Sequence, residues 1–597
     1  MVEQTTKEGY IIDFVSGQEV KATPEEIEAV QVFARQLVED YKYPKEHIRT
    51  RPQYRVKQRP SGGKEFPVDI AVFLSNNHSF DNEYILVECK KKNRKDGKKQ
   101  LEDYLHFSKA YLGVWFNGEE RLFLRKIEKQ GKIFFEEIPN IPQFGQRVED
   151  IGKFKRKDLK STHNLKAIFK AIRNHLAANT IGATRDEVLA QQLINLIFCK
   201  IYDEKFTKPD DIVTFRAGVD EEPKEVKERI LGLFEQVKRK YKDVLDKNDV
   251  INLDAKSVNY VVGELQNYCL IEAERDAIAV AFETFIGRAL KGEQGQFFTP
   301  RNVIKMMTNI LDPNDEDMII DPACGSGGFL IEALRHIWDK LSKEAEEYHW
   351  TDNNLMEEKM DVALNKIRGI DKDYFLAKVA RAYMAIIGDG KSGIFCEDSL
   401  ENPKNWSDKT QQKIDLGKFT VLLTNPPFGS KIPVRGEDKL KQFDLSYKWK
   451  KEKKTGKWEK TNKLKDKEAP QILFIERCLQ LLRDGGRMAI VLPDGVYGND
   501  SLAYIRQWLL EQGRFVAVID VPIETFMPNT STKTSIMIFQ KLNKNKIPKD
   551  YPIYMAMAQS CGHDRRGKDT GEDDISKIAD DFKKWQKENK FSFNDGI

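Results

Sequence analysis

The sequence has few cysteines, and no two of them form a close pair. Its seven cysteines are scattered from Cys89 to Cys561 without a C-x-x-C motif, which argues against a structural zinc site and favours a reducing compartment. No apolar run approaches the ~18 residues that a membrane span requires. The first residues are polar or charged and lack the apolar core of a signal peptide. The sequence therefore predicts a cytoplasmic protein that does not enter a membrane.

The chain also lacks a strong net charge and a motif for nucleotide hydrolysis. Its 98 basic and 94 acidic residues leave a net charge of only +4, so nucleic-acid binding has to rest on local patches. Gly390-Lys391-Ser392 resembles the end of a phosphate-binding loop, but Ala385 stands where that loop needs its first glycine. We therefore expect no ATP-driven motor. The length allows several domains of about 150 residues each.

Two apolar segments near the start of the chain carry charged residues that suit phosphodiester chemistry. The runs 68–74 and 84–90 have the composition of strands. In the second run, Glu88 and Lys90 project from one face. Because charges at the end of an apolar strand are costly to bury unpaired, a metal ion between Asp69 and Glu88 would account for them. Lys90 would then orient a water molecule that attacks a phosphodiester.

This arrangement resembles the PD-(D/E)xK nucleases. Downstream, Gln100-x-x-x-Tyr104 is similar to the signature of their RecB-like branch, and residues 1–150 as a whole resemble the amino-terminal nuclease domain of type I restriction subunits. The resemblance implies an endonuclease that depends on Mg²⁺. The metal ligands that it implies are Asp69, Glu88 and Glu26. A domain of this fold that only grips DNA is the alternative.

Residues 155–290 show helical periodicity and hold no catalytic cluster. Apolar residues recur with helical spacing from Asn164 to Glu204, and further helical patterns cover 223–245 and 256–290. A packed helical bundle accounts for this pattern. Its position before the next motif resembles the helical domain of type I modification subunits, which helps to bind the partner and DNA.

The following segment begins a sheet of the kind that binds nucleotides. A strand at 318–320 leads into D-P-A-C-G-S-G-G, residues 321–328, and a helix comes next. Strand, glycine-rich loop and helix in this order form the first unit of a Rossmann-like sheet. The glycines let the backbone approach a nucleotide closely.

A second stretch, T-N-P-P-F-G at residues 424–429, follows the apolar run 419–423. Two prolines end the strand in a stiff turn at the carboxyl edge of the sheet, where open α/β folds bind their ligands. The turn holds an amide, a free carbonyl and an exposed ring. These groups suit a planar base that carries an exocyclic amine.

The loop D-P-A-C-G-S-G-G resembles motif I of the S-adenosylmethionine-dependent amino-methyltransferases. Later segments ending in Asp371 and Asp398 resemble those that hold the cofactor's ribose and adenine. F-T-P at residues 298–300, the glycine loop, the two acids Asp371 and Asp398, and N-P-P-F follow one another along the chain. This order is similar to that of the N6-adenine DNA methyltransferases of type I restriction-modification systems. The resemblance implies S-adenosyl-L-methionine as cofactor. The residues implied to hold it are Phe298, Thr299, Pro300, Asp321, Ala323, Gly325, Gly327, Asp371 and Asp398.

The same resemblance implies which residues carry methyl transfer. Hydrogen bonds from adenine N6 to the Asn425 side-chain oxygen and to the Pro426 carbonyl would position the nitrogen near the methyl carbon. Pro427 stiffens the turn, and Phe428 would stack on an adenine flipped out of double-stranded DNA. The phenylalanine of N-P-P-F, together with F-T-P, favours adenine in DNA over other methyl acceptors.

Two further expectations concern the rest of the chain. The methyltransferase domain is predicted over 291–545, and 546–597 form a charged carboxyl-terminal tail that is too short for a target-recognition domain. We therefore expect a separate specificity subunit, a hetero-oligomer and an arrangement like that of type IIB enzymes. The lysine-rich segment 447–467 is expected to be a mobile loop that becomes ordered on DNA.

The predicted fold class is a multidomain α/β protein: a PD-(D/E)xK nuclease-like α/β domain, a helical bundle and a Rossmann-like methyltransferase. The predicted function is site-specific methylation of adenine N6 in DNA within a restriction-modification system, together with Mg²⁺-dependent endonuclease activity. Two alternatives stay open. One is a methyltransferase whose amino-terminal domain only binds DNA, and the other is a non-catalytic DNA-binding or regulatory protein.

Overall fold

The computed structural model describes the chain from Lys7 to Asn594 except residues 8, 59–62, 93, 95, 119, 130, 161–164, 181–185, 242–244, 246–247, 272–298, 388–392, 430–431 and 528–529. The chain forms two compact units. Unit 1 is Met1–Lys240 with Lys247–Ala289, and unit 2 is Tyr241–Asp246 with Leu290–Ile597. Among the helices described, none combines the length and apolar character needed to cross a membrane.

Unit 1 contains ten strands and six α-helices among its described residues. The strands are β1 (Tyr10–Ile12), β2 (Glu19–Lys21), β3 (Ile48–Arg49), β4 (Tyr54–Lys57), β5 (Glu65–Val68), β6 (Ile70–Phe73), β7 (Glu83–Cys89), β8 (Leu112–Phe116), β9 (Arg121–Lys129) and β10 (Lys132–Ile138). The helices are α1 (Gln31–Glu39), α2 (Lys98–Phe107), α3 (Leu165–Asn179), α4 (Asp186–Phe206), α5 (Pro223–Lys240) and α6 (Ala255–Leu265). A π-helical turn, Glu26–Val30, leads directly into α1.

The main sheet of unit 1 has six strands in the order β10-β9-β8-β7-β6-β3. β7 and β8 run parallel and are joined by α2, whereas the other neighbours are antiparallel. β7 is apolar because both of its faces are covered. Ile85, Val87 and Cys89 belong to the core that contains α1, and Leu86 belongs to the core that contains α2. Strand alternation therefore turns Glu88 toward α2.

The helical part of unit 1 packs against the sheet through a buried polar junction. Arg121 of β9 forms an ion pair of 2.9 Å with Glu264 of α6, and both side chains are at most 3% exposed. Nearby, the Asn140 side chain donates a hydrogen bond of 3.1 Å to the Gly263 carbonyl. A buried pair of this kind costs about 3–5 kcal/mol when one partner is lost. The predicted helical pattern appears as α3 to α6, and the part of it over 272–290 lies outside the described residues.

Unit 2 contains fourteen strands and ten α-helices among its described residues. The strands are β11 (Ile319–Asp321), β12 (Ile367–Asp371), β13 (Ile394–Cys396), β14 (Phe419–Thr424), β15 (Val434–Arg435), β16 (Tyr447–Lys451), β17 (Trp458–Leu464), β18 (Lys467–Glu468), β19 (Leu482–Pro493), β20 (Gly513–Asp520), β21 (Thr534–Lys541), β22 (Tyr554–Met557), β23 (Cys561–His563) and β24 (Asp569–Asp573). The helices are α7 (Arg301–Leu311), α8 (Gly328–Glu347), α9 (Asp352–Asp361), α10 (Tyr374–Ile387), α11 (Asp408–Gln411), α12 (Glu437–Leu440), α13 (Pro470–Leu481), α14 (Gly495–Gly498), α15 (Ala503–Leu510) and α16 (Ile575–Glu588).

The central sheet of unit 2 has eight strands in the order β13-β12-β11-β14-β19-β21-β20-β22. Only β21 runs antiparallel to its neighbours. The chain runs outward from β11 to β13 and then returns to the other side of β11 as β14. The strand order therefore reverses between β11 and β14, and ligands of open α/β sheets bind at the carboxyl ends of strands beside such a point. The predicted Rossmann-like fold is confirmed.

The described part of the charged segment, residues 546–594, is folded onto this sheet instead of forming a separate tail. β22 pairs with β20 and extends the sheet. Helix α16 buries Ile575, Ile578 and Phe582 on one face, and the Phe582 ring lies 5.4 Å from that of Tyr554 in β22. The periodic apolar face of α16 thus explains why a segment with so many charges is ordered.

Candidate active site

The turn after β14 lies at the reversal point of the sheet and is tied to the strand beside it. Thr424, the last residue of β14, donates a hydrogen bond of 2.7 Å to the Asp321 carboxylate at the end of β11. The next residue, Asn425, donates a hydrogen bond of 3.0 Å from its side-chain nitrogen to the Thr299 hydroxyl. Pro300 follows and precedes α7. Three segments that are far apart in sequence therefore meet at this turn.

Only one of the two polar atoms in the Asn425 side chain has a hydrogen-bond partner among the described residues. Its nitrogen is used by Thr299, whereas its Oδ1 atom is buried and has no hydrogen-bond partner. A buried acceptor without a donor costs about 1–3 kcal/mol. Such an atom can accept a hydrogen bond from an N–H group of a ligand that lies against the turn. The bond to Thr299 fixes which way the amide faces.

Asn425 is followed in the turn by Pro426, Pro427 and the aromatic ring of Phe428. Pro426 is buried and Pro427 is partly buried, and neither takes part in the strand ladder. The Phe428 side chain is only 7% exposed, so the expectation of an exposed ring is wrong for this structure. The turn ends at Gly429, whose N–H donates a hydrogen bond of 3.3 Å to the Gln471 side chain at the start of α13.

The glycine-rich loop after β11 has the geometry that a closely approaching ligand requires. Gly325 and Gly327 adopt φ angles of 52° and 89°, which side chains with a Cβ rarely adopt. A Cβ added at Gly325 would meet no atom within 4 Å, so this part of the loop faces open space. The Gly325 N–H donates a hydrogen bond of 2.8 Å to Asp371 at the end of β12. The predicted loop and the first predicted acid are therefore adjacent.

The carboxylates of Asp321 and Asp371 accept hydrogen bonds from backbone N–H groups of this loop. The Asp321 Oδ1 atom accepts hydrogen bonds from the Ala323 N–H at 3.0 Å and from Thr424. Burial raises the pKa of Asp321 to about 7 despite these bonds. Burial also raises the pKa of Asp371, although two backbone N–H groups, including that of Gly325, act in the opposite direction. Asp321 thus connects the glycine loop to the turn that contains Asn425.

Asp398 lies in the loop after β13 and is held by a residue that sequence analysis did not identify. Its carboxylate accepts hydrogen bonds from the Leu400 N–H at 2.9 Å and from Lys439 at 2.7 Å. Lys439 also pairs with Glu401 at 3.1 Å. Because Lys439 lies forty-one residues after Asp398, no local sequence pattern connects the two. Phe298, the remaining predicted cofactor residue, lies outside the described residues.

The predicted nuclease residues also converge, in unit 1. Asp69 lies between β5 and β6, where its carboxylate accepts hydrogen bonds from the Cys89 N–H at 2.7 Å and from the Gln53 side chain at 3.2 Å. Glu88 is 2% exposed and pairs with Lys90. The predicted projection of Glu88 and Lys90 from one face is confirmed, because Cys89 belongs to the opposite core.

The Gln100 and Tyr104 pair connects α2 to this cluster. The Gln100 side chain donates a hydrogen bond to the Tyr104 hydroxyl, which in turn donates one of 2.8 Å to the Pro67 carbonyl. Tyr104 is fully buried, and burial raises the pKa of its hydroxyl. The pair therefore positions the end of β5, two residues before Asp69.

The surroundings of Asp69 and Glu88 raise the pKa values of both carboxyl groups. Burial, followed by the neighbouring Glu88, raises the pKa of Asp69 to about 7. Burial also raises the pKa of Glu88, although Lys90 lowers it in part. Two carboxylates that share a buried site favour a bound metal ion or a proton. Within the described residues, however, no three His, Cys, Asp or Glu side chains come together as a metal site.

The expected third metal ligand, Glu26, is held by other side chains. The Glu25 carboxylate raises the pKa values of both Asp69 and Glu88. Glu26 is 6% exposed, pairs with Arg51 and accepts a hydrogen bond of 2.8 Å from Gln31. Its carboxylate is therefore already neutralised by a structural partner, Arg51.

Two protein families match different parts of this chain. The model of the N-6 DNA Methylase family matches residues 273–596, which is more than half of the chain. The chain belongs to this family. Residues 24–142 also match the family of the type I restriction enzyme R protein N terminus. The two resemblances drawn from the sequence are therefore confirmed.

Individual relatives match only parts of this chain. The methylase subunit of the type I restriction enzyme EcoEI from Escherichia coli is 26% identical over 61% of this chain and 62% of its own length. RM.BcgI from Heyndrickxia coagulans, named a type II restriction enzyme and methyltransferase, is 23% identical over 45% of this chain and 34% of its own length. The chain thus spans less than two thirds of either relative. A solved structure from work on complex assembly of the type I R-M system covers 72% of this chain and 85% of its own, with 19% identity and a TM-score of 0.49.

Proposed function

We propose that unit 2 transfers a methyl group from S-adenosyl-L-methionine to the N6 amine of an adenine flipped out of double-stranded DNA. The observation that carries the proposal is the buried Asn425 oxygen, which lacks a donor beside the glycine loop. An exocyclic amine supplies the N–H that this oxygen needs. Membership of the N-6 DNA Methylase family supports adenine N6 as the acceptor.

The residues of the turn act by positioning and polarising the amine. The cofactor supplies a methyl group on a sulfonium, which is already electrophilic. Asn425 accepts one N6–H, and the Pro426 carbonyl accepts the other, so that the nitrogen lone pair is less delocalised into the ring and faces the methyl carbon. The bond from Asn425 to Thr299 keeps the amide oxygen directed at the base. Phe428 is proposed to move from its buried position to stack on the base.

The cofactor is proposed to lie along the edge formed by β11, β12 and β13. The residues fit it, because the loop at Gly325 faces open space and two acids stand at the ends of successive strands. Asp371 would accept the ribose hydroxyls, and Asp398 would accept the adenine amine. Asp321 does not need to touch the cofactor, since it acts by joining the loop to Thr424.

The test of this proposal is Asn425→Ala, assayed with labelled S-adenosylmethionine and DNA of mixed sequence. We expect a fall in kcat of about 100- to 1,000-fold, the usual cost of one transition-state hydrogen bond, with unchanged affinity for the cofactor. The exposed Asn365→Ala is the matched control and should retain full activity. Nucleoside digestion should place the label on adenine N6. Label on another base, or equal activity of the two variants, would contradict the proposal.

We also propose that unit 1 cleaves DNA with Mg²⁺ held by Asp69 and Glu88. The match to the type I R protein N terminus and the raised pKa values of the two acids support this second activity. Lys90 would leave Glu88 when the metal binds and orient the attacking water. Glu25 would complete the acidic set.

Lys90→Ala separates cutting from mere DNA binding. We expect it to abolish Mg²⁺-dependent nicking while DNA affinity stays within about twofold, because one charge is a small share of a nucleic-acid interface. The exposed Lys91→Ala serves as control. If the wild-type chain binds DNA through unit 1 but never nicks it, the alternative of a domain that only grips DNA is correct.

Sequence recognition is proposed to come from a separate specificity subunit in a hetero-oligomer that acts on DNA in the cytoplasm. The support is the name of the EcoEI relative, a methylase subunit. The methylation assay should therefore be run with and without the product of the neighbouring gene. We expect one short sequence to be methylated only when both are present. Methylation of one specific sequence by this chain alone would refute the need for a second subunit.

A further inference from the structure

The lysine-rich segment that follows the base-binding turn is a folded arm. We use this name for residues 434–468. At its base β15 pairs with β18, with Val434 opposite Glu468. Beyond the base, β16 and β17 form an antiparallel hairpin. The arm is thus a folded hairpin, and the expectation of a mobile loop is wrong.

Aromatic contacts explain why this hairpin is formed. The Trp449 ring stacks on Tyr504 of α15 with 5.6 Å between centroids, and the Trp458 ring lies 6.0 Å from the same tyrosine. The Gln507 side chain forms two hydrogen bonds of 2.8 Å with the Trp458 backbone. Two-stranded hairpins are marginal alone, and aromatic pairs add about 0.5–1.5 kcal/mol each. The arm is therefore held rigidly on the sheet domain.

Strand alternation gives the hairpin a charged outer face. Trp449 turns toward Tyr504, so Lys448 and Lys450 on either side of it turn to solvent. Residues 447–467 contain ten lysines and only three acids, a net charge of +7, although the whole chain has +4. Within the described part of the chain, eight of these lysines are not in ion pairs. They are Lys448, Lys450, Lys451, Lys453, Lys454, Lys457, Lys463 and Lys467.

The lysine-rich outer face of the hairpin is suited to binding a polyanion. No large hydrophobic side chain between 447 and 467 is exposed, because the two tryptophans are used as anchors. The face therefore offers neither a wedge for stacked bases nor an apolar surface for a membrane. A five-residue strand spans about 17 Å, which exceeds the roughly 12 Å width of the major groove of B-DNA. Unneutralised lysines on a rigid strand suit regularly spaced phosphates.

Both ends of the arm are rooted at the base-binding turn. β15 begins five residues after Gly429, and β18 ends two residues before Pro470, the first residue of α13. Gly429 is itself hydrogen-bonded to Gln471 of that helix. We infer that the arm is a preformed clamp for the phosphate backbone of the double-stranded DNA whose adenine enters the pocket at Asn425. The inference rests on the proposed methyl transfer to DNA, and it assigns the surface that holds the duplex.

The test compares the salt dependence of DNA binding in two variants of the full chain. The arm variant replaces four unpaired lysines with glutamine: Lys448, Lys450, Lys453 and Lys457. The control variant replaces four exposed lysines elsewhere in unit 2: Lys343, Lys544, Lys546 and Lys549. Affinity for a mixed-sequence DNA duplex is measured from 50 to 200 mM salt. Because each lost phosphate contact lowers the slope of log K against log salt by about 0.9, we expect the arm variant to flatten it by about 2 to 4 and the control by less than 1.

Three further readouts separate the possible failures. Tryptophan fluorescence of the arm variant should match the wild type, which shows that the hairpin is intact. Its methyl transfer at low salt and saturating DNA should equal that of the wild type, since the arm does not touch the reacting atoms. An unchanged slope, or a change confined to duplex RNA, overturns the arm as a DNA clamp. A wild-type chain that binds DNA but transfers no methyl group even with the product of the neighbouring gene present overturns the proposed function instead.

Discussion

The buried carboxyl group of Asp321 makes a prediction that can be worked through numerically. The pKa of Asp321 is about 7 in the folded protein, whereas that of an aspartate outside a folded protein is 3.8. An acid whose folded pKa is raised stays protonated in the native state while the unfolded chain has already ionised. The unfolded state then binds fewer protons, so stability falls as pH rises toward the folded pKa. Between pH 5 and 7 each pH unit costs about 1.4 kcal/mol, which gives about 2.5 kcal/mol in total.

Asp321→Asn removes this titration and little else. Both observed hydrogen bonds end on the Oδ1 atom, and an asparagine oxygen can accept them in the same place. We therefore expect the variant to gain about 2.5 kcal/mol relative to the wild type as pH rises from 5 to 8, with most of the change complete near 7. The exposed Asp415→Asn should show a constant difference over the same range.

Urea unfolding followed by tryptophan fluorescence measures this effect in unit 2. Seven of the eight tryptophans belong to unit 2, and only Trp115 belongs to unit 1, so the signal reports the correct part of the chain. Unfolding free energies are compared at each pH from 5 to 8. A difference between wild type and Asp321→Asn that does not vary with pH would refute the reasoning, because it would mean that Asp321 ionises equally easily in both states.

Three other predictions follow from contacts described above. Lys439→Met should weaken S-adenosylmethionine binding about fivefold in calorimetry, as expected for a half-exposed ion pair, whereas Lys439→Arg should bind normally and kcat should not change. Because Asp69 must lose a proton near pH 7 to hold a metal, Mg²⁺ affinity should rise about tenfold from pH 6 to 8; an affinity that is flat with pH contradicts a site there. Arg121→Met should destabilise unit 1 by about 3–5 kcal/mol in thermal unfolding, and Glu264→Met in addition should restore most of it.

The sequence predicted the parts of the site that depend on local chemistry. Asp321 and Asn425 were placed at the carboxyl ends of strands because apolar runs, glycines and prolines mark those ends without reference to the rest of the chain. The order of the strands then brings the two residues together. Glu88 and Lys90 were placed on one face by the period-two rule alone.

What the sequence did not predict depends on contacts between distant residues or on irregular backbone. Glu26 was predicted as a metal ligand from its position alone, and its pairing with Arg51 could not be read from the sequence. The π-helical turn over Glu26–Val30 is an irregularity that helical spacing does not reveal either. The arm was expected to be a mobile loop, because its support by Tyr504 comes from a distant part of the chain.

The junction between Arg121 and Glu264 has a consequence for how such a gene changes over time. If the restriction-like module at the start of the chain were deleted, Glu264 would be left as an isolated charge in the helical part. If the proposed cleavage of DNA lost its benefit, deletion of the module would therefore carry a cost in stability. A point substitution such as the loss of Lys90 would silence the proposed cleavage and keep the scaffold. Descendants with a complete but inactive module are the expected outcome.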